Sequence, residues 1–135
     1  SPVFPFLQLE KGQIMSRKLN ILVVDDDAAN ADSLAELFSM DDHRVIVAYD
    51  GEQAVEAFTS NKVDIGFFDV MMPKMNGVDS FMEIKGGHPD ARIYFMTGYS
   101  ADDLIDRAVK GGALGVFSKP VDLSRLLETV EREAA

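Results

Sequence analysis

The fold is decided by residues 65–77, which read IGFFDVMMPKMNG. This segment opens with a short apolar run, residues 65–68, and the run ends in a single carboxylate, Asp69. Runs of this length that are rich in Ile, Val and Phe are typical of strands buried on both faces of a sheet. Pro73 and the Asn76-Gly77 pair then delay the next helix. The segment therefore predicts a buried strand with a carboxylate at its end, followed by a loop and a helix.

The same alternation extends in both directions along the chain. Four more apolar runs occur at residues 21–24, 45–48, 93–96 and 113–117. Segments with helical spacing of apolar residues lie between and after them, as in Leu123, Leu126, Leu127 and Val130. Residues typical of helix N-caps precede three of these segments, namely Asp50, Ser100 and Asp122. Glycine pairs close two of them, Gly86-Gly87 and Gly111-Gly112. Five strands alternating with five helices predict an α/β domain whose parallel sheet is covered on both faces.

Composition excludes several classes of protein. The chain has 135 residues and no cysteine, which rules out disulfide scaffolds, thiol catalysis and cysteine-ligated metal centres. Thirteen basic residues against 23 acidic ones give a net charge of −10, which disfavours direct binding to nucleic acid or to anionic membranes. No apolar run is long enough to span a bilayer. We therefore expect a small, soluble, acidic domain of the cytoplasm.

The first 18 residues differ from the rest of the chain. They contain two prolines and scattered aromatics without any period, and Met15 stands shortly before the first strand-like run. We expect Met15 to be the native start and residues 1–14 to be vector-derived or disordered. A docking arm is the alternative interpretation of this extension. The folded domain itself is expected to span residues 19–135.

Polar side chains follow four of the five apolar runs. The first run ends in the acidic triplet 25–27, the third in Asp69, the fourth in Thr97, and the fifth leads through Ser118 to Lys119. Ligands of open parallel sheets bind at the carboxyl ends of the strands, so these side chains are expected at one edge. Clustered carboxylates repel one another unless a cation joins them, and oxygen ligands suit Mg²⁺, with Mn²⁺ as a possible substitute. With a hydroxyl and an ammonium beside it, such an edge can hold a transferring phosphoryl group.

The order of these motifs resembles the receiver domain of two-component response regulators of the chemotaxis-regulator type. The resemblance covers residues 19–132 and rests on four motifs, Val23-Val24-Asp25-Asp26, residues 68–77, Met96-Thr97-Gly98 and Ser118-Lys119-Pro120. It implies a flavodoxin-like, doubly wound, five-stranded parallel sheet of order 2-1-3-4-5 with five flanking helices. It also implies a phosphoacceptor signalling domain, which is not an enzyme acting on other substrates.

The resemblance also assigns roles to single residues. It implies that Asp69 accepts a phosphoryl group from a sensor histidine kinase or a histidine phosphotransfer protein. Thr97 and Lys119 would contact the phosphoryl oxygens. A cis peptide bond before Pro120 would turn the Lys119 ammonium back toward the strand ends. A conformational switch would then control an output, and a homodimer could form through the fourth helix, fifth strand and fifth helix.

A magnesium site is part of the same resemblance. It implies that Mg²⁺ is held by Asp26 and Asp69, by Asp25 through water, and by the backbone carbonyl of Met71.

Three positions depart from the usual receiver pattern. Val116 stands where receivers commonly place an aromatic residue that reports phosphorylation, and the neighbouring Phe117 should point to the opposite face of the sheet. Met71 and Tyr99 stand at the positions that flank the path of the water that hydrolyses the aspartyl-phosphate. Neither side chain can orient and activate a water as a carboxylate or carboxamide would, which predicts slow dephosphorylation.

Two other classes share parts of this pattern. A haloacid-dehalogenase-like phosphatase also forms an aspartyl-phosphate after a strand, but it would want a threonine near Ala29 and room for a cap domain. A flavodoxin-type flavin carrier has the same fold, but its phosphate-binding first loop would here be triply acidic and repulsive. His43 and His88 are expected to be solvated loop residues, so the chain is expected to receive phosphoryl groups rather than relay them.

Overall fold

Five parallel strands form one sheet in the part of the chain that the structure describes. The computed structural model describes residues 17–98 and 102–135. The strands in chain order are β1 Asn20–Val24, β2 Arg44–Ala48, β3 Ile65–Asp69, β4 Ile93–Thr97 and β5 Gly115–Ser118. Their spatial order is β2-β1-β3-β4-β5, with every neighbouring pair parallel. This is the flavodoxin-like order 2-1-3-4-5, and the predicted fold is confirmed.

Helices alternate with these strands. They are α1 Ala28–Ser39, α2 Gly51–Ser60, α3 Gly77–Gly87, α4 Asp102–Lys110 and α5 Leu123–Ala134. Aspartates cap α1, α2 and α5, since Asp27, Asp50 and Asp122 each accept backbone N–H groups of the first turn. Ser100, the expected cap of the fourth helix, lies outside the described residues. Within the described ranges, no helix has both the length and the apolar character required to span a bilayer.

Two apolar cores lie on opposite faces of the sheet. One packs α1 and α5 against the sheet through residues such as Phe38, Phe67 and Leu126. The other packs α2, α3 and α4 through residues such as Phe68 and Phe81. Successive side chains of a strand point to opposite faces, so the adjacent Phe67 and Phe68 enter different cores. Burial on both sides explains why the strands read as continuous apolar runs.

The last strand begins later than the sequence predicts. The run 113–117 predicted a strand, but β5 spans Gly115–Ser118 and its pairing with β4 begins at Gly115 opposite Tyr94. Ala113 instead donates its N–H to the carbonyl of Ala108 at 2.9 Å, which closes the end of α4. Gly112 has a φ of +103° in this turn, a conformation that favours glycine.

The expectation of a solvated His43 is wrong. Its ring is only partly exposed, and its Nδ1 accepts the backbone N–H of Leu19 at 3.0 Å. The turn between α1 and β2 brings the ring to the start of β1, where that N–H needs an acceptor. His88 is exposed as expected, at the end of α3.

Candidate functional site

The polar residues selected from the sequence lie at the carboxyl edge of the sheet. Asp25 follows β1 directly, and Asp69 and Thr97 are the last residues of the neighbouring strands β3 and β4. Lys119 follows β5, and its backbone N–H donates to the carbonyl of Thr97 at 2.8 Å. Parallel pairing thus brings residues from distant parts of the sequence to one edge.

The Lys119 ammonium bridges two buried carboxylates. Its Nζ lies 3.2 Å from Asp69 Oδ1 and 3.4 Å from Asp25 Oδ2. Asp25 is 1% exposed, and its other oxygen accepts the backbone N–H of Asp27 at 2.9 Å. The Lys119–Pro120 peptide bond is cis. These contacts fix the orientation of Asp25 and leave one oxygen of Asp69 outside the ion pair.

Burial and charge act in opposite directions on Asp69. Burial is the largest cause and raises the pKa of its carboxyl to about 6, although the Lys119 ammonium lowers it and the carboxylate of Asp25 raises it further. For Lys119, burial lowers the pKa of the ammonium, but the carboxylates of Asp69 and Asp25 outweigh burial and raise it. The site therefore holds a cation beside a carboxyl group whose charged form is disfavoured by burial.

Three carboxylates at this edge of the sheet could hold a metal ion, whose positive charge would favour the ionised form of Asp69. One oxygen each from Asp25, Asp26 and Asp69 lie within 4.8 Å of one another. Asp26 is exposed, whereas the other two are buried. An all-oxygen set with one open side fits Mg²⁺, which keeps several waters and needs only one or two carboxylates.

Comparison with known proteins agrees with this geometry. Residues 21–131 match the family described as the response regulator receiver domain. The chain belongs to this family. The family also decides against the phosphatase and flavin-carrier alternatives considered from the sequence.

Individual relatives support the same assignment. The receiver domain is 36% identical over 118 residues to the transcriptional regulatory protein ZraR of Salmonella typhimurium, covering 87% of this chain and 27% of that protein. A response regulator receiver domain from Clostridium thermocellum has a TM-score of 0.80 at 29% identity, covering 86% of this chain and 94% of the other. A chain from the CheX-CheY-BeF3-Mg complex of Borrelia burgdorferi has a TM-score of 0.77 at 28% identity, covering 84% and 87%.

The receiver domain has an open cleft beside the two carboxylates. It has a volume of about 670 Å³, and α1 lines it with residues that the sequence reasoning missed, Asn30, Ser33 and Leu34. In the sequence, these residues are typical of the polar and partly buried face of any amphipathic helix. The available signal was their position in the first turns after Asp27, since α1 begins at the same edge as the acidic triplet. The cleft offers a partner both polar and apolar contacts.

The three positions that depart from the usual receiver pattern are in different parts of the chain. Met71 lines the cleft and is 46% exposed. Val116 packs toward the core of α2, α3 and α4, whereas Phe117 packs toward the core of α1 and α5, so they face opposite sides as predicted. Tyr99, the second residue expected to control water access, lies outside the described residues.

Proposed function

We propose that this receiver domain accepts a phosphoryl group on Asp69 from a phosphohistidine of a sensor histidine kinase or a histidine phosphotransfer protein. The observation that carries the proposal is the position of Lys119 Nζ, 3.2 Å from Asp69 and 3.4 Å from Asp25. A cation held there can contact an oxygen of a phosphoryl group on Asp69 without leaving Asp25. Thr97, at the adjacent strand end, supplies the second contact in this proposal.

The transfer exchanges one bond of phosphorus for another. An oxygen of the ionised Asp69 carboxylate attacks phosphorus, the bond from phosphorus to the imidazole nitrogen breaks, and its electron pair returns to the histidine ring. The pKa of Asp69 near 6 leaves its carboxylate mostly ionised at pH 7. Asp25, Asp26 and Asp69, with the Met71 carbonyl, would hold Mg²⁺ (or Mn²⁺), which would neutralise charge on the carboxylates and the phosphoryl oxygens. The only catalysis proposed is of its own phosphorylation and dephosphorylation.

The effect of phosphorylation on the rest of the domain would be transmitted through the ion pair of Lys119. When Asp69 becomes an acyl phosphate, Lys119 exchanges a carboxylate partner for a phosphoryl oxygen. Lys119 is joined to β5 and, through Pro120, to α5, so we propose that α4, β5 and α5 form the surface that changes, and that a homodimer could use it.

The output is proposed to lie elsewhere in a longer protein. The chain spans about a quarter of the length of ZraR, whose name describes transcriptional regulation. We propose that residues 19–135 form the phosphoacceptor domain of such a regulator, in the cytoplasm, and that nucleic-acid binding belongs to another domain.

Intact-mass spectrometry tests the proposed function. The protein is incubated with a small-molecule phosphodonor, with and without Mg²⁺. We expect a gain of one phosphoryl group only when Mg²⁺ is present, and no gain in Asp69→Asn. Asp90→Asn is the matched control, because Asp90 is exposed near the other end of the sheet. Undiminished labelling of Asp69→Asn would disprove the assignment of the acceptor.

A further inference from the structure

A second polar cavity lies at the end of the sheet opposite the carboxylate site. Its volume is about 360 Å³, and it is lined by Arg17, Leu19, Asp64, Arg92, Arg132 and Glu133. Most of these residues precede the strands β1, β3 and β4 or stand in the last turn of α5. The cavity therefore lies where three strands begin and α5 ends, away from Asp69 and Lys119.

Two of its arginines are held in place by other groups. The Glu133 carboxylate accepts from Arg92 Nε at 2.7 Å and from Arg92 Nη2 at 2.9 Å, and it also accepts the Tyr94 hydroxyl at 2.9 Å. Arg17 donates its backbone N–H to the carbonyl of Ala134 at 2.8 Å and its Nη2 to the carbonyl of Glu133 at 3.1 Å. Arginines held in this way lose little further freedom when a ligand binds.

Most guanidinium donors in the cavity have no partner among the residues that the structure describes. A guanidinium carries five N–H groups. Among residues 17–98 and 102–135, side-chain hydrogen bonds engage two nitrogens of Arg92, one of Arg17, and one of Arg132, the last to the Thr129 hydroxyl at 3.3 Å. The Arg92 side chain is also 51% exposed, so its guanidinium reaches solvent.

The local charge is opposite to that of the whole chain. Three arginines line the cavity together with the carboxylates of Glu133 and Asp64. Asp64 also has Lys62 Nζ at 3.8 Å and accepts the backbone N–H of Asn20 at 2.7 Å. Among the lining residues, three arginines against two carboxylates leave one positive charge in excess, in a chain whose net charge is −10. An anion is therefore the ligand that these lining charges favour, and several guanidinium N–H groups can donate to the oxygens of one phosphate group.

We propose that this cavity binds the phosphate group of a small molecule. Guanidinium groups bind phosphate through paired N–H···O bonds, and the volume admits a phosphate ester of modest size. The proposal is independent of the proposed phosphorylation, because it uses neither Asp69 nor Lys119. A bound phosphate would connect the starts of β1 and β4 with the end of α5.

NMR titration of the full chain tests the proposal. Backbone amide shifts are followed at low ionic strength without divalent metal, using inorganic phosphate, adenosine 5′-monophosphate and adenosine as probes. We expect saturable shifts at residues 17–19, 92–94 and 132–134 with a Kd of about 1 mM for both phosphate-bearing probes, and none with adenosine. Tighter binding of the nucleotide would identify an ester as the ligand, and equal binding would identify recognition of the phosphate alone. Both results support the site.

Arginine variants decide whether the cavity is responsible. Arg132→Gln removes a guanidinium whose only side-chain bond within the described residues is to Thr129, so the fold should be retained. We expect it to weaken phosphate binding at least about fivefold, and Arg17→Gln to do the same. Arg44→Gln, an exposed arginine at the start of β2, is the matched control and should change affinity less than about twofold. The proposal would be overturned by shifts confined to the Asp69 edge or by shifts that do not saturate. It would also be overturned if all three variants weakened phosphate binding equally.

Discussion

At the scale of single residues, Asp69, the proposed phosphoacceptor, combines two conflicting requirements. A phosphoacceptor must be ionised to attack phosphorus, yet its burial disfavours the charge and raises its pKa to about 6. Lys119 offsets only part of this cost. The conflict has a measurable consequence for stability.

Asp69→Asn is expected to stabilise the metal-free protein at neutral pH. The folded-state pKa is raised above the ordinary value of 3.8, so the folded chain binds this proton more tightly than the unfolded chain does. The stability associated with a neutral Asp69 is therefore present below about pH 3.8 and is lost as the pH rises through 6. Asparagine stays neutral, so at pH 7.5 the variant should gain about 1–3 kcal/mol in free energy of unfolding, measured by urea denaturation in EDTA.

The pH dependence provides the control for this prediction. The gain should shrink between pH 6 and pH 4, because Asp69 becomes neutral in the folded parent as well. Asp90→Asn should leave the free energy of unfolding nearly unchanged throughout this range. A gain that is equal at pH 4 and pH 7.5 would show that charge on Asp69 is not its cause.

Dephosphorylation is expected to be slow because of two side chains. Met71 lines the cleft without a group that could orient water, and Tyr99 is too weak a base at neutral pH. The double variant Met71→Asn, Tyr99→Glu should therefore lose its phosphoryl group at least about fivefold faster than the parent. The measurement is decay of the labelled protein after the donor is removed. Decay at the parental rate would show that water access through these side chains is not limiting.

At the scale of elements, the junction of β3 and α3 depends on a glycine. Gly77, the first residue of α3, donates its N–H to the carbonyl of Val70 at 2.8 Å. A Cβ at Gly77 would overlap the backbone oxygen of Asp69. The helix can thus begin directly against the end of β3 only without a side chain at this position.

Gly77→Ala should therefore displace either α3 or Asp69. We expect a loss of about 2–3 kcal/mol in the free energy of unfolding, together with slower phosphorylation of the folded fraction. The matched control is Gly86→Ala in the last turn of the same helix, where a Cβ would meet no atom within 4 Å. That variant should be as stable as the parent or up to about 1 kcal/mol more stable, because alanine favours helix. Equal effects of the two substitutions would contradict this account of the junction.

At the scale of the whole molecule, metal binding should couple distant segments to stability. Asp25 and Asp26 follow β1, and Asp69 ends β3. A metal site that uses all three carboxylates therefore exists only in the folded sheet. Mg²⁺ at ten times its Kd should raise the free energy of unfolding by about 1.4 kcal/mol at pH 7.5, detected as a higher Tm. The increase should disappear at pH 4.5, where Asp69 is mostly protonated.

Asp26→Asn distinguishes this site from general ionic effects. The variant keeps the fold, because Asp26 is exposed, but it removes one of the three carboxylates. Its Tm should not respond to Mg²⁺, whereas Asp41→Asn, in the turn after α1, should respond like the parent. An equal response in both variants would refute the metal site.

The sequence by itself determined the fold and the carboxylate edge. Buried strands and helix caps are local patterns, so the five strands and the caps Asp50 and Asp122 could be predicted from the sequence alone. Parallel pairing then places every strand end at one edge, which brought Asp25, Asp69 and Lys119 together in principle. The start of β5 was missed because Ala113 is held by a bond that closes a helix, which no local apolar pattern reports.

Only the tertiary structure decided how close the groups lie and which surfaces they share. The bridging position of Lys119, the raised pKa of Asp69, and the approach of Gly77 to the Asp69 carbonyl depend on packing across the sheet. The arginine cavity joins residues 17, 92 and 132, which are far apart in sequence and look like separate surface charges there. The physical reason is that sequence patterns fix the conformation of each element, whereas distances between elements follow from how their side chains fill the space between them.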